Sequence, residues 1–474
     1  MNLACKSALK PILKQCRNIA FLAIDLIAKC GRIYGKIKGD SRRFTDSADS
    51  IDSIDSRFAH DFIKPGDFIR PKDSTQIAII KVDAIGDYIL FRNFLCELKS
   101  HLDSNLSLIC NESYKELALK LDSKIVDNFI FISRPKMMRS LLYRLKTLFF
   151  LESLRFDILL NPTFSKCIIS EALANHINAG ESVAPIGNTA NLSTKNLLKE
   201  NKKYTKLLAN KSGNLFEFYR NMEFFEQFLG VKLDTKLFID SAFLPSFEIL
   251  RDKFSLIKPY SILFIGASSP NRKWSAENFA KMARHILERK YNIVICGLSE
   301  DCLNAEKIIN LAQGKYAESG AESKIESTLK IAKDSAMKST LNSKTDSAPD
   351  SPETPQIKNL CGKTTLLELA GIVYNGNHMV ANETSVAHLA SALDTTSIVV
   401  YNGNHLNRFI PYPKEICDKY YYVLHPQIAT NAELYAKISN TESYKSTLNI
   451  DEISAESVIA IYEKALNGGG GNSM

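Results

Sequence analysis

Three short stretches bring together residue types that could bind an anion or move a proton. The densest runs from Met379 to Pro413, MVANETSVAHLASALDTTSIVVYNGNHLNRFIPYP. Its Asn382, Glu383, Thr384 and Ser385 crowd side-chain oxygens and an amide into one turn. An apolar run ends just before that turn. After it, Val386, Leu389, Ala390 and Leu393 share one helical face. Ser385 or Thr384 suits the N-cap of that helix. Ser397 to Tyr401 is β-branched and apolar, as a buried strand is, and Asn402, Gly403, Asn404, His405, Asn407 and Arg408 follow it. Open α/β sheets take ligands at strand carboxyl ends, and the free N–H groups of a helix start favour phosphate or another anion. A helix cap explains one such turn equally well; two adjacent polar loops fit that explanation less.

The second stretch is QIAIIKVDAIGDYIL. Gln76 to Val82 reads as a strand, Asp83 to Asp87 as a turn, and Tyr88 to Lys99 as a helix. Gly86 lets the backbone turn tightly. Asp87 either faces a ligand or caps the helix, and a helix amino terminus should hold its carboxyl low. The third stretch is GASSPNRKW after the strand Tyr260 to Ile265. Small Gly266, Ala267, Ser268 and Ser269 allow close approach, and Arg272 with Lys273 offset the charge of a pyrophosphate. Ser275 suits the N-cap of the helix that follows.

The elements that must position these residues alternate. Strands near Leu106–Cys110, Asn128–Ile132 and Phe156–Leu160 are separated by helices Tyr114–Leu121 and Lys136–Leu151, a rhythm that implies a parallel sheet. Arg134, Lys136, Arg139, Arg144 and Lys146 suit an anionic acceptor or a solvated helix face. Residues 213–229 form an aromatic-rich helix whose Phe side chains read as core. A second set follows: strand Asn292–Cys296, helix Asp301–Ala312, strand Ile357–Cys361, and a helix opened by the capping box Thr365-x-x-Glu368. A last helix spans Ile453–Leu466. Gly362-Lys363-Thr364-Thr365 lacks the upstream glycine of a P-loop, because Ile357 occupies that place.

With 474 residues the chain has room for two domains and appendages. The expected divisions are 1–73, 74–245 and 246–474. Residues 1–40 form a basic amphipathic helix suited to an anionic membrane surface or to docking on the protein itself. Residues 40–73 read as an Asp/Ser-rich linker, and 314–356 as a low-complexity insertion. Net charge is +8, too diffuse to argue for nucleic acid. The ten cysteines show no metal spacing, which points to reduced thiols and a cytoplasmic location, and the basic helix makes the expected place peripheral, on the inner face of the cytoplasmic membrane.

N-E-T-S-x-x-H-L-A-x-A-L followed by G-N-H-x-x-R-F-x-P-Y-P resembles the donor-site signature of glycosyltransferase family 9, which includes the lipopolysaccharide heptosyltransferases. The family's commoner Asp-Thr-Gly is here Glu383-Thr384-Ser385. IKVDAIGDYIL, the basic pair before Trp274 and G-K-T-x-L-x-E-L-A resemble its other signatures. The resemblance covers roughly residues 76–466. It implies an α/β fold of two Rossmann-like domains facing across a cleft (GT-B), with the amino-terminal basic extension outside it. It further implies inverting transfer of heptose from ADP-heptose, a nucleotide-diphosphate sugar, onto a lipid-linked saccharide, with no metal and no cofactor. Asp87 would be the catalytic base. Ser268, Arg272, Lys273, Glu383, Thr384, Ser385, His388, Gly403, His405 and Arg408 would bind the donor. A nucleotide-sugar epimerase of the same layout and a non-catalytic saccharide- or membrane-binding relative remain alternative readings.

Overall fold

A computed structural model describes residues 74–211, 213–314 and 354–468. The expected amino-terminal helix, the Asp/Ser-rich linker, nearly all of the 314–356 insertion and the glycine-rich tail lie outside these residues. The described chain divides into two compact units. The first runs through Phe243 and takes in two later segments, Asn404–Cys417 and Ala432–Ser446. The second holds Leu244–Gly403, Asp418–Asn431 and the chain from Thr447.

The first unit is built on a six-stranded sheet of β1 (Thr75–Lys81), β2 (Ser104–Asn111), β3 (Asn128–Ile132), β4 (Arg155–Leu160), β5 (Asn178–Pro185) and β6 (Lys206–Leu208). All pairings are parallel, in the order β3-β2-β1-β4-β5-β6. Strand β1 is buried on both faces, which is why it reads as an unbroken apolar run. The strand order reverses between β1 and β4, so the loops after these two strands leave the sheet as neighbours. The expected helix Tyr88–Lys99 is two helices, Ile85–Ile89 and Phe94–His101, and the expected Lys136–Leu151 helix breaks at Ser140, whose hydroxyl accepts the Tyr143 N–H. Phe216, Phe218, Phe224 and Phe225 are buried, as the aromatic-rich helix Glu217–Leu229 requires.

The second unit repeats the design. Its strands are β7 (Tyr260–Phe264), β8 (Asn292–Cys296), β9 (Ile357–Asn359), β10 (His378–Asn382), β11 (Ser397–Tyr401) and β12 (Tyr420–Leu424). They pair in parallel in the order β12-β11-β10-β7-β8-β9. Here the reversal lies between β7 and β10, so the Gly266–Lys273 loop and the Asn382–Ser385 turn emerge side by side. The capping box is present: Thr365 Oγ1 accepts the Glu368 N–H at 3.2 Å, and Glu368 accepts the Thr365 N–H at 3.0 Å. Three strands, β5, β6 and β12, are added by the structure, and of these β6 is only three residues long.

Candidate functional site

The structure gathers the chemistry-bearing residues into two constellations, one in each unit. In the first, Asp87 stands in the opening turn of the helix Ile85–Ile89, just past β1. Its Oδ2 accepts the Ala84 N–H at 3.2 Å, so the carboxylate does cap the turn. The turn is fixed from β2, where Asn111 Nδ2 donates to the Asp83 carbonyl at 3.0 Å. Tyr114 donates its hydroxyl hydrogen to the Lys81 carbonyl. Around Asp87 stand Asp83, Lys81, Glu217 and Arg408.

These neighbours decide the acidity of Asp87. Burial pushes its carboxyl up to about 6, and Asp83 adds to the rise while Lys81 pulls it back. The expectation of a low value from the helix amino terminus is therefore corrected. A single short turn offers little dipole, whereas loss of water and a second carboxylate both disfavour charge. A carboxyl raised in this way lies near the range suited to a general base.

Arg408 belongs to this first constellation. It is buried, with Nε 2.9 Å from Glu217 Oε2 and Nη1 donating to Ser165 and Ser443 at 2.7 and 2.8 Å. Arg408 and His405 lie in the Asn404–Cys417 segment, which belongs to the first unit. His405 has φ +57°, and its ring meets Phe409 edge-on at 5.9 Å. Among the basic residues near position 140, Arg144 is buried and donates to the Met137 carbonyl at 2.8 Å, a structural role.

The second constellation fills the ends of β7 and β10. Asn382 ties them together: its Oδ1 accepts the Trp274 N–H at 3.0 Å, and its Nδ2 donates to the Ile265 carbonyl at 2.8 Å. Arg272 Nη1 lies 3.2 Å from Glu383 Oε2, and Arg272 also donates to Ser268. Burial pushes Glu383 up to about 7, against the pull of Arg272. Lys273 turns to the other side. Its Nζ is 2.7 Å from the buried Asp301 and 3.3 Å from Glu300.

Thr384 occupies the N-cap position of the helix Ser385–Ala392, but neither it nor Ser385 makes the expected capping bond. The Thr384 hydroxyl is buried without a hydrogen-bond partner among the described residues. His388 is buried on this helix, and desolvation lowers it to about 4, so it is neutral at physiological pH. Gly403 follows β11 with φ +89°, a left-handed conformation that favours glycine.

Sequence reasoning gives no functional role to Lys81, Glu217 or Asp301. Lys81 had a signal, an ionisable side chain inside an apolar strand. Glu217 and Asp301 had none, because their partners lie far along the chain.

Residues 202–326 and 336–419 match the model of glycosyltransferase family 9 (heptosyltransferase). No curated protein matches. Among solved structures, the family 9 glycosyl transferase from Veillonella parvula DSM 2008 is similar with a TM-score of 0.55 at 17% identity, covering 83% of this chain and 97% of that one. The E. coli heptosyltransferase WaaC with ADP gives 0.53 at 14% identity, covering 83% of this chain and 99% of that one. The E. coli ADP-heptose lps heptosyltransferase II gives 0.53 at 13% identity, with coverage of 83% and 99%. These likenesses carry the fold, two Rossmann-like α/β units of the GT-B class.

Proposed function

We propose that this chain, whose residues 202–326 and 336–419 match the family model, is a glycosyltransferase of family 9 that moves heptose from ADP-heptose onto a lipid-linked, lipopolysaccharide-type saccharide. The observation that carries the reading is Asp87. A half-buried carboxyl held near 6 beside a strand end is ionised at neutral pH, yet basic enough to take a hydroxyl proton. In this reading the acceptor oxygen attacks the anomeric carbon, its proton passes to Asp87, and the bond to the diphosphate breaks with inversion.

The second unit's loops suit the donor. The helix Ser385–Ala392 has no side-chain cap, so its first N–H groups are left for the diphosphate. Arg272 and the hydroxyls of Ser268, Thr384 and Ser385 add positive charge and donors, and Glu383 accepts from sugar hydroxyls. His388, buried on the same helix, is neutral there and adds no charge. Lys273, held by Asp301, acts on the leaving group through its field. Arg408, paired with Glu217, serves the first unit's acid cluster. ADP-heptose is chosen because relatives of the same fold are described with ADP and as ADP-heptose transferases.

Asp87→Asn keeps the shape and the Ala84 contact but cannot accept the proton. Turnover should fall about 10²–10⁴-fold while the variant stays folded and still binds ADP-heptose. Single-turnover transfer with ordinary rates would remove Asp87 from the mechanism. An anionic membrane surface, met by residues 1–40, completes the reading. Removal of those residues should abolish cosedimentation with anionic vesicles at low salt, and unchanged cosedimentation would count against it. Among the described residues no helix is long and apolar enough to cross a membrane.

A further inference from the structure

We propose that the outward face of the helix pair Arg134–Arg139 and Leu141–Ser153 is a membrane-docking surface, an apolar stripe edged by cations that rests on an anionic lipid headgroup layer. The meaning of this surface rests on the reading that the acceptor is lipid-linked.

These two helices make the crossover from β3 to β4. The inner face of the longer one buries Arg144, Thr147, Leu148 and Leu151. Its outer face should then be polar, as on most surface helices of a globular unit. It is not. Leu141 is 52% exposed, Leu142 53% and Phe149 44%. Leu141, Leu145 and Phe149 recur at intervals of four, so they stand one turn above the next, with Leu142 beside them. Single exposed apolar side chains are ordinary. A run of them along one helix marks an interaction surface.

The surroundings say which partner fits. From Ser133 to Leu151 the chain carries five cations, Arg134, Lys136, Arg139, Arg144 and Lys146, and no acid. Arg144 is turned inward, to the Met137 carbonyl at 2.8 Å. Lys136 and Arg139 are exposed just ahead of the stripe, and Lys146 lies one turn past Leu142. The next acid, Glu152, lies 3.6 Å from His176. Leucine and phenylalanine with lysine and arginine around them match the acyl boundary and the phosphates of an anionic bilayer. A second copy docked through the same face would instead bring like charges together.

Position agrees with this partner. Strands β1, β2 and β3 are parallel, with Lys81 beside Cys110 and Cys110 beside Phe131. The helix pair therefore leaves β3 at the end of the sheet where the Asp87 turn leaves β1, two strands and about 10 Å away. An acceptor whose lipid stays in the bilayer must bring its sugar to that end. Stable attachment to a bilayer surface takes two weak contacts acting together. Residues 1–40 supply one, and the helix pair supplies one that belongs to the folded unit and orients it. Neither holds alone.

Fluorescence gives a local test. The chain has one tryptophan, Trp274, which is 3% exposed in the core of the second unit. Leu142→Trp in the full-length chain adds an indole to the stripe. With vesicles of phosphatidylglycerol and phosphatidylethanolamine that carry brominated acyl chains, Leu142→Trp should shift to the blue and lose the added emission, while the unaltered chain keeps its own. Lys136→Gln combined with Arg139→Gln should weaken binding to these vesicles at low salt about tenfold or more, since each cation near the surface contributes about fivefold. A Leu142→Trp chain that cosediments with the vesicles at full emission overturns the proposal, because residues 1–40 would then make the attachment by themselves. A chain that does not cosediment at all overturns it too. So does a dimer in lipid-free buffer that Leu142→Asp splits, since the face would then cover a second copy. Should Leu142→Trp fail to fold, Phe149→Trp gives the same reading. The vesicles hold no saccharide. Unquenched emission therefore sinks the surface alone, and the lipid-linked acceptor is judged by transfer from the unaltered chain to lipid-linked and soluble saccharides.

Discussion

Asp87 and Glu383 are carboxyls that burial has moved toward neutrality, but their compensation differs. Asp87 has both carboxylates and cations around it, whereas Glu383 is met by the guanidinium of Arg272. A buried acid that ionises near 7 works against folding at alkaline pH. Its protonated form is favoured in the folded state, so the contribution is present below about 4.5 and lost as pH rises through about 7. Glu383→Gln should therefore leave stability at pH 4.5 nearly unchanged. At pH 8 it should raise it, by at most about 3 kcal/mol by the linkage of 1.36 kcal/mol per pKa unit. Urea unfolding at the two pH values checks this, and a loss of stability at high pH would show that the Arg272 pair outweighs desolvation. The same variant gives up the acceptor proposed for donor hydroxyls, so a gain in stability with a loss of donor affinity is the expected pairing.

At the scale of elements, the reversal of strand order between β7 and β10 sets one polar loop against another, and Asn382 fastens them with two buried hydrogen bonds. The two cations of the β7 loop then part company. Arg272 points toward Glu383 and Ser268, while Lys273 is drawn to Asp301 and Glu300. The division predicts unequal effects. Arg272→Ala should weaken binding of the proposed donor, ADP-heptose, about tenfold or more, as loss of a charge-assisted contact of about 1.5–3 kcal/mol implies. Lys273→Ala should weaken it less. It should instead lower the melting temperature, because Asp301 is left buried without its ion pair. Calorimetric titration and thermal melts on both variants decide the matter, and equal losses of affinity would mean that both cations touch the diphosphate.

Over the whole molecule, the chain leaves β11 and returns twice to the unit it began in. The returning segments are bound within that unit. Arg408 pairs with Glu217, Phe216 meets Tyr412 edge-on at 4.8 Å, and Asn214 Nδ2 donates to the Ser439 and Thr441 carbonyls at 2.6 and 3.1 Å. Breaking the ion pair from one side leaves a buried charge alone. Arg408→Met should therefore cost about 3–5 kcal/mol, and it should raise Asp87 further by removing a cation that lowers it. Adding Glu217→Gln to that variant should restore much of the loss, since no unpaired carboxylate then remains. Denaturant unfolding of the single and double variants measures the coupling, and additive losses would show that the pair contributes nothing beyond its parts.

Much of this protein is written locally. The apolar run of β1, the Thr365–Glu368 capping box, the Ser275 cap and the polar turns after β1, β7 and β10 all depend on groups within a few positions of one another. Hydrophobic alternation and short-range hydrogen bonding are therefore enough to reveal them. The family signature was legible for the same reason, since each motif is one loop. The parallel strand order was not, because register and neighbour choice follow from how helices cross and pack. Nor was the acidity of Asp87. The turn itself argued for a low value, and it was overruled by burial, by the company of Asp83 and by charges on Glu217 and Arg408 that reach it only through the tertiary fold. Likewise the sequence set Arg408 in the motif that follows β11, but a buried guanidinium goes where its counter-ion is, and Glu217 lies in the first unit. Local chemistry thus chose the turns, while long-range electrostatics and the exclusion of water decided what the residues on them can do.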